Sequence, residues 1–285
     1  VFGLFRKKLP ARICGGCLHA DNKLWLLDDN GGFEIDARDD KQWQQAAAKL
    51  GPAQLQLALS ASHYQLVAID RPAVADHELP QALPFLVRDL VNVPVPRMQL
   101  DYFQLAANPA DKDPLQVVVS DRQPLAKLAN KAKQHGFELS LISIEELLLL
   151  ELLGSGDRPQ MLLWLLPEQP LKVLLAVDGK LLFSRNIRGF NQLDTLTALE
   201  LEAGLFDALQ LELQRSMDYL ERQLRQPPVE QIWLLVPSQH RQLLADKLQH
   251  GLGVPAKPLG EAQHSAVQML AHGAALARGH HENTN

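Results

Sequence analysis

Apolar positions between residues 161 and 187 fall into three runs of strand length, Met161–Leu166, Leu171–Val177 and Leu181–Ile187. A polar loop, Pro167-Glu168-Gln169-Pro170, separates the first two, and an Asp178-Gly179-Lys180 turn separates the last two. Dense apolar runs punctuated by turn chemistry predict an antiparallel meander buried on at least one face. A similar but more dilute pattern opens the chain. Arg12–Leu18, Lys23–Leu27 and Gly32–Ile35 read as three strands joined by Asp-Asn and Asp-Asp-Asn-Gly-Gly turns.

Between the two meanders the period alternates. Lys41–Leu50 reads as a short helix stopped by Gly51-Pro52. Leu55, Leu57 and Leu59 alternate and lead through Ser60–His63 to Gln65–Ile69, a pattern that predicts a hairpin. Asp76 is the expected N-cap of a helix with Leu79, Leu83, Leu86, Val87 and Leu90 on one face, and Pro84 predicts a kink or break in it. Two strands follow, Gln99–Leu105 and Leu115–Ser120. Next comes a helix capped by Asp121, with Pro124 in its first turn and Gly136 past its end. Phe137–Ile142 reads as a strand, and Ser143 with Glu146 has the spacing of a capping box for a helix through Leu153. Gly154–Asp157 reads as a boundary.

Beyond the second meander, Leu205, Leu209, Leu213, Met217, Leu220 and Leu224 form a buried stripe on a helix predicted over 196–224. The remaining expectations are a strand at Gln231–Val236, a helix at Ser238–His250 closed by Gly251, an edge strand near Pro255–Leu259 and a last helix at His264–Ala277.

Composition narrows the function classes. The chain has 285 residues, enough for two domains, with 46% hydrophobic and 21% charged residues. A net charge of −5 and a pI near 6.1 speak against nucleic-acid binding, and no basic stripe is visible. The run Leu147–Leu150 is far shorter than the roughly 20 apolar residues that cross a bilayer. The start, VFGLFRKK, lacks the apolar core and cleavage site of a signal peptide, so a cytoplasmic location is expected. Phe2, Leu4 and Phe5 beside three cations leave contact with an anionic membrane surface open.

Cys14-Gly15-Gly16-Cys17 shares the spacing of thioredoxin-like redox sites, but the following Leu-Trp-Leu-Leu run reads as a hairpin arm and not as the helix that would activate a thiolate. Two reduced thiols are expected, and no second ligand pair supports a metal. There is no P-loop and no nucleophile elbow. His63, His77 and His240 sit at a turn or at helix starts and read as solvated, while Asp28-Asp29 and Asp39-Asp40 read as turn formers and caps.

Two meanders, each opening a βββα unit, form an internal pseudo-repeat. Several segments carry a more particular likeness: Glu78-Leu79 through Pro84-Phe85, Asp101-Tyr102, His135-Gly136-Phe137, Ser184–Gly189 and Glu212–Tyr219, in that order. On these the chain resembles the PilM-like family of type IV pilus assembly proteins, within the actin-like ATPase superfamily, and most closely its MSHA-type branch. The resemblance implies an α/β, ribonuclease H-like two-domain fold. The first domain would cover 1–157, with an inserted α+β subdomain at about 53–152, and the second 158–285. It also implies a partner, the cytoplasmic N-terminal segment of a PilN-like (MshJ-like) bitopic inner-membrane protein, held in a groove of the first domain and its insert.

The family's nucleotide loops are altered here. At the first loop Gly15 and Gly16 give backbone freedom but no magnesium-positioning carboxylate. At the second, Leu166, Pro167 and Glu168 stand where an Asp-x-Gly is implied, and prolines flanking a glutamate are poor phosphate ligands. At the third, Val236, Pro237 and Ser238 occupy the implied glycine cluster. The expectation is a scaffold without catalytic residues, cofactor or metal. An ATPase with divergent loops and a filament-forming protein are the alternatives.

Overall fold

The computed structural model describes residues 12–20, 22–106, 114–193, 195–236, 241–260 and 264–277. The first meander is β1 (Ile13–His19), β2 (Lys23–Leu26) and β3 (Phe33–Asp36). Asp39 then caps α1 (Asp40–Leu50), accepting from the Lys41 amide at 2.8 Å. Strand β4 (Ala53–Leu59) lies parallel to β1. The chain leaves this sheet through a 3-10 turn at Ala61–His63 and builds a second, antiparallel sheet from β5 (Tyr64–Asp70), β6 (Met98–Gln104) and β7 (Pro114–Asp121), ordered β5-β7-β6. Helix α2 (Leu79–Val87) covers that sheet with Leu79, Leu83 and Val87.

The chain then returns to the first sheet. Helix α3 (Arg122–Gln134) is capped by Asp121, and β8 (Phe137–Ile144) completes the order β3-β2-β1-β4-β8. Strands β4 and β8 run parallel. Helix α4 (Glu145–Leu153) leads out to the second half.

That half repeats the plan. β9 (Gln160–Trp164), β10 (Leu171–Val177) and β11 (Lys180–Ile187) form the second meander. A three-residue helix, α5 (Ala198–Glu200), meets α6 (Phe206–Arg222) through a π-turn at Leu201–Leu205. Then come β12 (Gln231–Leu235), α7 (Arg241–Leu252), β13 (Ala256–Pro258) and α8 (Ala266–Leu276). The strand order β11-β10-β9-β12-β13 matches the first sheet, with two parallel strands added beside the first strand of the meander.

Three apolar layers hold these parts. Trp43 of α1 and Leu125 and Leu128 of α3 pack on the first sheet, and the stripe Leu209, Leu213, Met217, Leu220 and Leu224 packs on the second. Between the sheets lie α4 and α8, whose Leu148, Leu149, Leu270 and Ala274 share one core with Cys17 and Ala58 on one side and Leu162 and Trp164 on the other. Each fully buried leucine removes apolar area worth about 1.5–3 kcal/mol. The central layer therefore contributes strongly to holding the halves together.

Several expectations change here. Leu55–Leu59 and Gln65–Ile69 do not form a hairpin: β4 pairs with β1 and β8, and β5 pairs with β7 in the other sheet. An insert drawn at about 53–152 thus takes in β4 and β8, which belong to the first sheet, and the separate sheet begins at β5 and ends with β7. Asp76 pairs with Arg71 and does not cap α2, which runs unbroken past Pro84 because its apolar face outweighs one lost backbone hydrogen bond. The long helix expected over 196–224 breaks at Ala203 and Gly204, where Gly204 takes φ +99°. Gly251 does not end α7; that helix reaches Leu252 and the positive-φ residue is Gly253. Ser143 lies in β8 and caps nothing. Pro237, Ser238, His240 and the N-terminal Phe2, Leu4 and Phe5 lie outside the described residues.

Candidate functional site

The pseudo-repeat brings two turns face to face between the halves: the β1–β2 turn, and the loop of residues 165–170 between β9 and β10. Gly15 and Gly16 are not part of either. Both lie inside β1, because the strand extends through His19 before it turns. A Cβ at Gly15 would overlap the Ala271 carbonyl and sit 2.8 Å from the Ala275 Cβ, so this glycine lets α8 cross the strand closely.

In the opposing loop Leu166 is core, Pro167 lines the gap, and Glu168 takes φ +60° with its carboxylate outward. Lys23 Nζ reaches Glu168 Oε1 at 3.4 Å and bridges the two turns. Behind them lies a cavity of about 140 Å³ lined by His19, Trp25, Glu34, Leu165, Pro167 and the first residues of α8. Small-molecule pockets usually run from about 300 to 1,000 Å³. His19 Nε2 is 2.9 Å from Glu34 Oε2 but poorly directed for a hydrogen bond. Burial lowers the His19 pKa, and Glu34 only partly opposes that shift. A larger concavity of about 340 Å³ on the outer side of α6, lined by Asp207, Gln210, Leu211 and Gln214, touches none of these groups. Val236 is buried at the end of β12 and its carbonyl accepts from Arg241 Nε at 2.8 Å.

Deeper between the halves is a polar cluster that sequence reasoning missed. Glu145 and Glu146 open α4, and both are buried. Glu145 accepts from the Ala61 amide at 2.6 Å, from Trp164 Nε1 at 2.6 Å and from Lys172 Nζ at 2.9 Å. Glu146 accepts from the Tyr64 hydroxyl and lies 3.8 Å from Lys172 Nζ. Burial pushes the Glu146 carboxyl above its ordinary range, against the pull of Lys172. Burial and the Glu146 charge push the Tyr64 phenol up in the same way. The signal for this cluster was present in Leu147–Leu150: a helix apolar on every side is buried all round, and acids in its first turn are buried with it.

Cys14 and Cys17 lie in separate cores on opposite faces of β1, so the pair has no redox geometry. Burial pushes the Cys14 thiol up to about 11 and raises the Cys17 thiol well above its ordinary value. Among the described residues no group of three His, Cys, Asp or Glu could hold a metal, and no helix is long and apolar enough to cross a membrane. Asp28 and Asp39 act as the expected turn former and cap, whereas Asp29 and Asp40 enter ion pairs. Asp28 accepts from the Asn30 and Gly32 amides at 2.8 Å each, and Asp40 meets Lys131 at 2.8 Å and His135 at 3.1 Å. His77 is exposed, and His63 closes the turn before β5.

No protein-family model and no curated protein matches the sequence. Solved structures do match. The chain superposes on a structure described as the PilM–PilN type IV pilus biogenesis complex with a TM-score of 0.65 at 17% identity, covering 93% of this chain and 98% of that one. The cytoplasmic domain of EpsL, an inner-membrane component of the Vibrio cholerae type II secretion system, matches with a TM-score of 0.53 at 12% identity, covering 93% and 95%. A Bacteroides thetaiotaomicron protein with an actin-like ATPase fold matches with a TM-score of 0.50 at 10% identity, covering 91% and 95%. The fold is actin-like. In this actin-like chain the repeated halves are the β1 and β9 sheets, and the β5-β7-β6 sheet is the insertion in the first of them.

Proposed function

We propose that this chain is a non-catalytic scaffold of a type IV pilus assembly machine, an MshI-like member of the MSHA type. It works in the cytoplasm and is recruited to the inner membrane by docking the N-terminal tail of a PilN-like, here MshJ-like, bitopic protein. The observation that carries this reading is the likeness to the PilM–PilN structure over nearly the whole of both chains, insert included. The likeness to EpsL, from another inner-membrane machine, supports the same class of role.

Support for a non-catalytic role comes from the loops. Pro167 offers no N–H to a phosphate, Glu168 repels one, and the cavity beside them is about 140 Å³. Support for docking comes from the insert. Its helix α2 and the turn after it expose Phe85 at 64% and Leu90 at 59%, an apolar strip of the kind that seats an apolar peptide.

The test is calorimetric titration of the full chain with a synthetic tail peptide, alongside thermal melts with magnesium and ATP. Saturable tail binding, weakened by Phe85→Ser with Leu90→Ser, and an unchanged melt in millimolar ATP are expected. A ligand at 100 times its Kd adds about 2.7 kcal/mol. A saturating nucleotide shift of that order, with no tail binding, would overturn the scaffold and favour an ATPase with divergent loops, to be checked by phosphate release.

A further inference from the structure

Three sheets are fastened together at the first turn of α4. Glu145 directly follows β8 of the first sheet, yet its donors come from elsewhere: the Ala61 amide where the chain leaves for the inserted sheet, and Trp164 and Lys172 on facing positions of β9 and β10. Glu146 beside it holds the hydroxyl of Tyr64, the first residue of the inserted sheet. The Lys172 ammonium also lies 5.3 Å from the Trp164 ring centroid. A second tie leaves the far end of the inserted sheet, where the Ala106 amide donates to the Leu181 carbonyl of β11 at 2.8 Å. The insert thus bonds the second half directly at this end, and at its Tyr64 end it reaches that half through Glu145 and Lys172.

Adjacent carboxylates taken out of water demand positive charge or protons. The neighbours that face this pair are the Cys17 thiol on β1 and the Tyr64 phenol on β5, both held in the neutral form, and the cation in contact is Lys172. We propose that Glu145, Glu146 and Lys172 form an internal clasp that locks the inserted sheet and the second half onto the first. The charge comes from the chain itself, so the halves stay closed with no nucleotide or cation between them. The clasp rests on these contacts alone and stands apart from the tail-docking reading, which a separate titration tests.

The experiment compares the full chain with Lys172→Met and with the triple variant Lys172→Met, Glu145→Gln, Glu146→Gln, by thermal melts at pH 5.5 and pH 8 and by amide hydrogen exchange. Lys172→Met is expected to lower Tm by roughly 6–20 °C at pH 8 and by less at pH 5.5, where the stranded Glu146 carboxylate more readily takes up a proton. The triple variant should regain at least half of that loss. Exchange in β5, β7 and β9 of Lys172→Met should quicken at least tenfold relative to α1. An equal loss at both pH values that the triple variant does not recover would overturn the clasp, as would exchange that leaves the inserted sheet unchanged. Should Lys172→Met not fold, a folded triple variant supports the clasp and an unfolded one overturns it.

Discussion

Among the described residues, lysine and glutamate pair across the halves in two places, with opposite polarity. At the mouth Lys23 of the first half meets Glu168 of the second, with side chains 46% and 65% exposed. Inside, Glu145 of the first half meets Lys172 of the second, at 0% and 6%. The same two residue types do different work in the two places. The outer pair is solvated and screened, and such pairs are worth about 0–1 kcal/mol. The inner pair has given up its water, so each partner depends on the other and on the Trp164 and Ala61 donors. Polar cohesion between the halves therefore resides in the clasp, and the facing turns contribute little to it.

The strongest way to break this contrast is Glu145→Ala, which strips three donors of their acceptor and leaves Lys172 buried beside Glu146 alone. It should cost about 3–5 kcal/mol, read from the urea midpoint. Trp164→Phe should cost about 1–3 kcal/mol in the same assay, since it removes the 2.6 Å donor to Glu145 but keeps an aromatic ring in the core.

Glu146→Gln sharpens the contrast through pH. Burial raises the folded-state pKa of Glu146 above its ordinary 4.5, so its stabilising contribution is complete below that value and is lost as pH rises through the folded pKa. Wild-type stability should fall across that window. Glutamine, which still accepts from Tyr64, should flatten the fall in urea midpoints measured from pH 4.5 to pH 8. Smallest of all is Lys23→Ala, expected to change stability by less than about 1 kcal/mol, with the difference vanishing in high salt. A loss as large as that of Glu145→Ala would reverse the ranking.

Element types were largely legible in the residues. Both meanders, the stripe of α6, the Asp121 cap of α3 and the strand at Gln231–Leu235 stand where pattern and turn chemistry place them. Pairing was less legible. Alternation in Leu55–Leu59 says that a face is buried, but it does not distinguish a hairpin from a strand lodged between two parallel neighbours. The turn that carries Pro167 and Glu168 between β9 and β10 stands where its polar, proline-flanked sequence places it. Gly15 and Gly16 lie within β1 and not in a loop, and the helix crossing that requires a missing Cβ at Gly15 lies more than 250 residues away along the chain.

By itself the sequence determined where helices and strands form and which faces they bury, because those follow from short-range periodicity, capping and turn geometry. Tertiary structure alone decided which strand lies beside which and which charges share a cavity. Tyr64 and Glu146 are 82 positions apart and Glu145 and Lys172 are 27 apart, and no local pattern links them. They meet because the apolar layer of α4 and α8 draws both sheets together, and desolvation then turns ordinary polar side chains into a clasp.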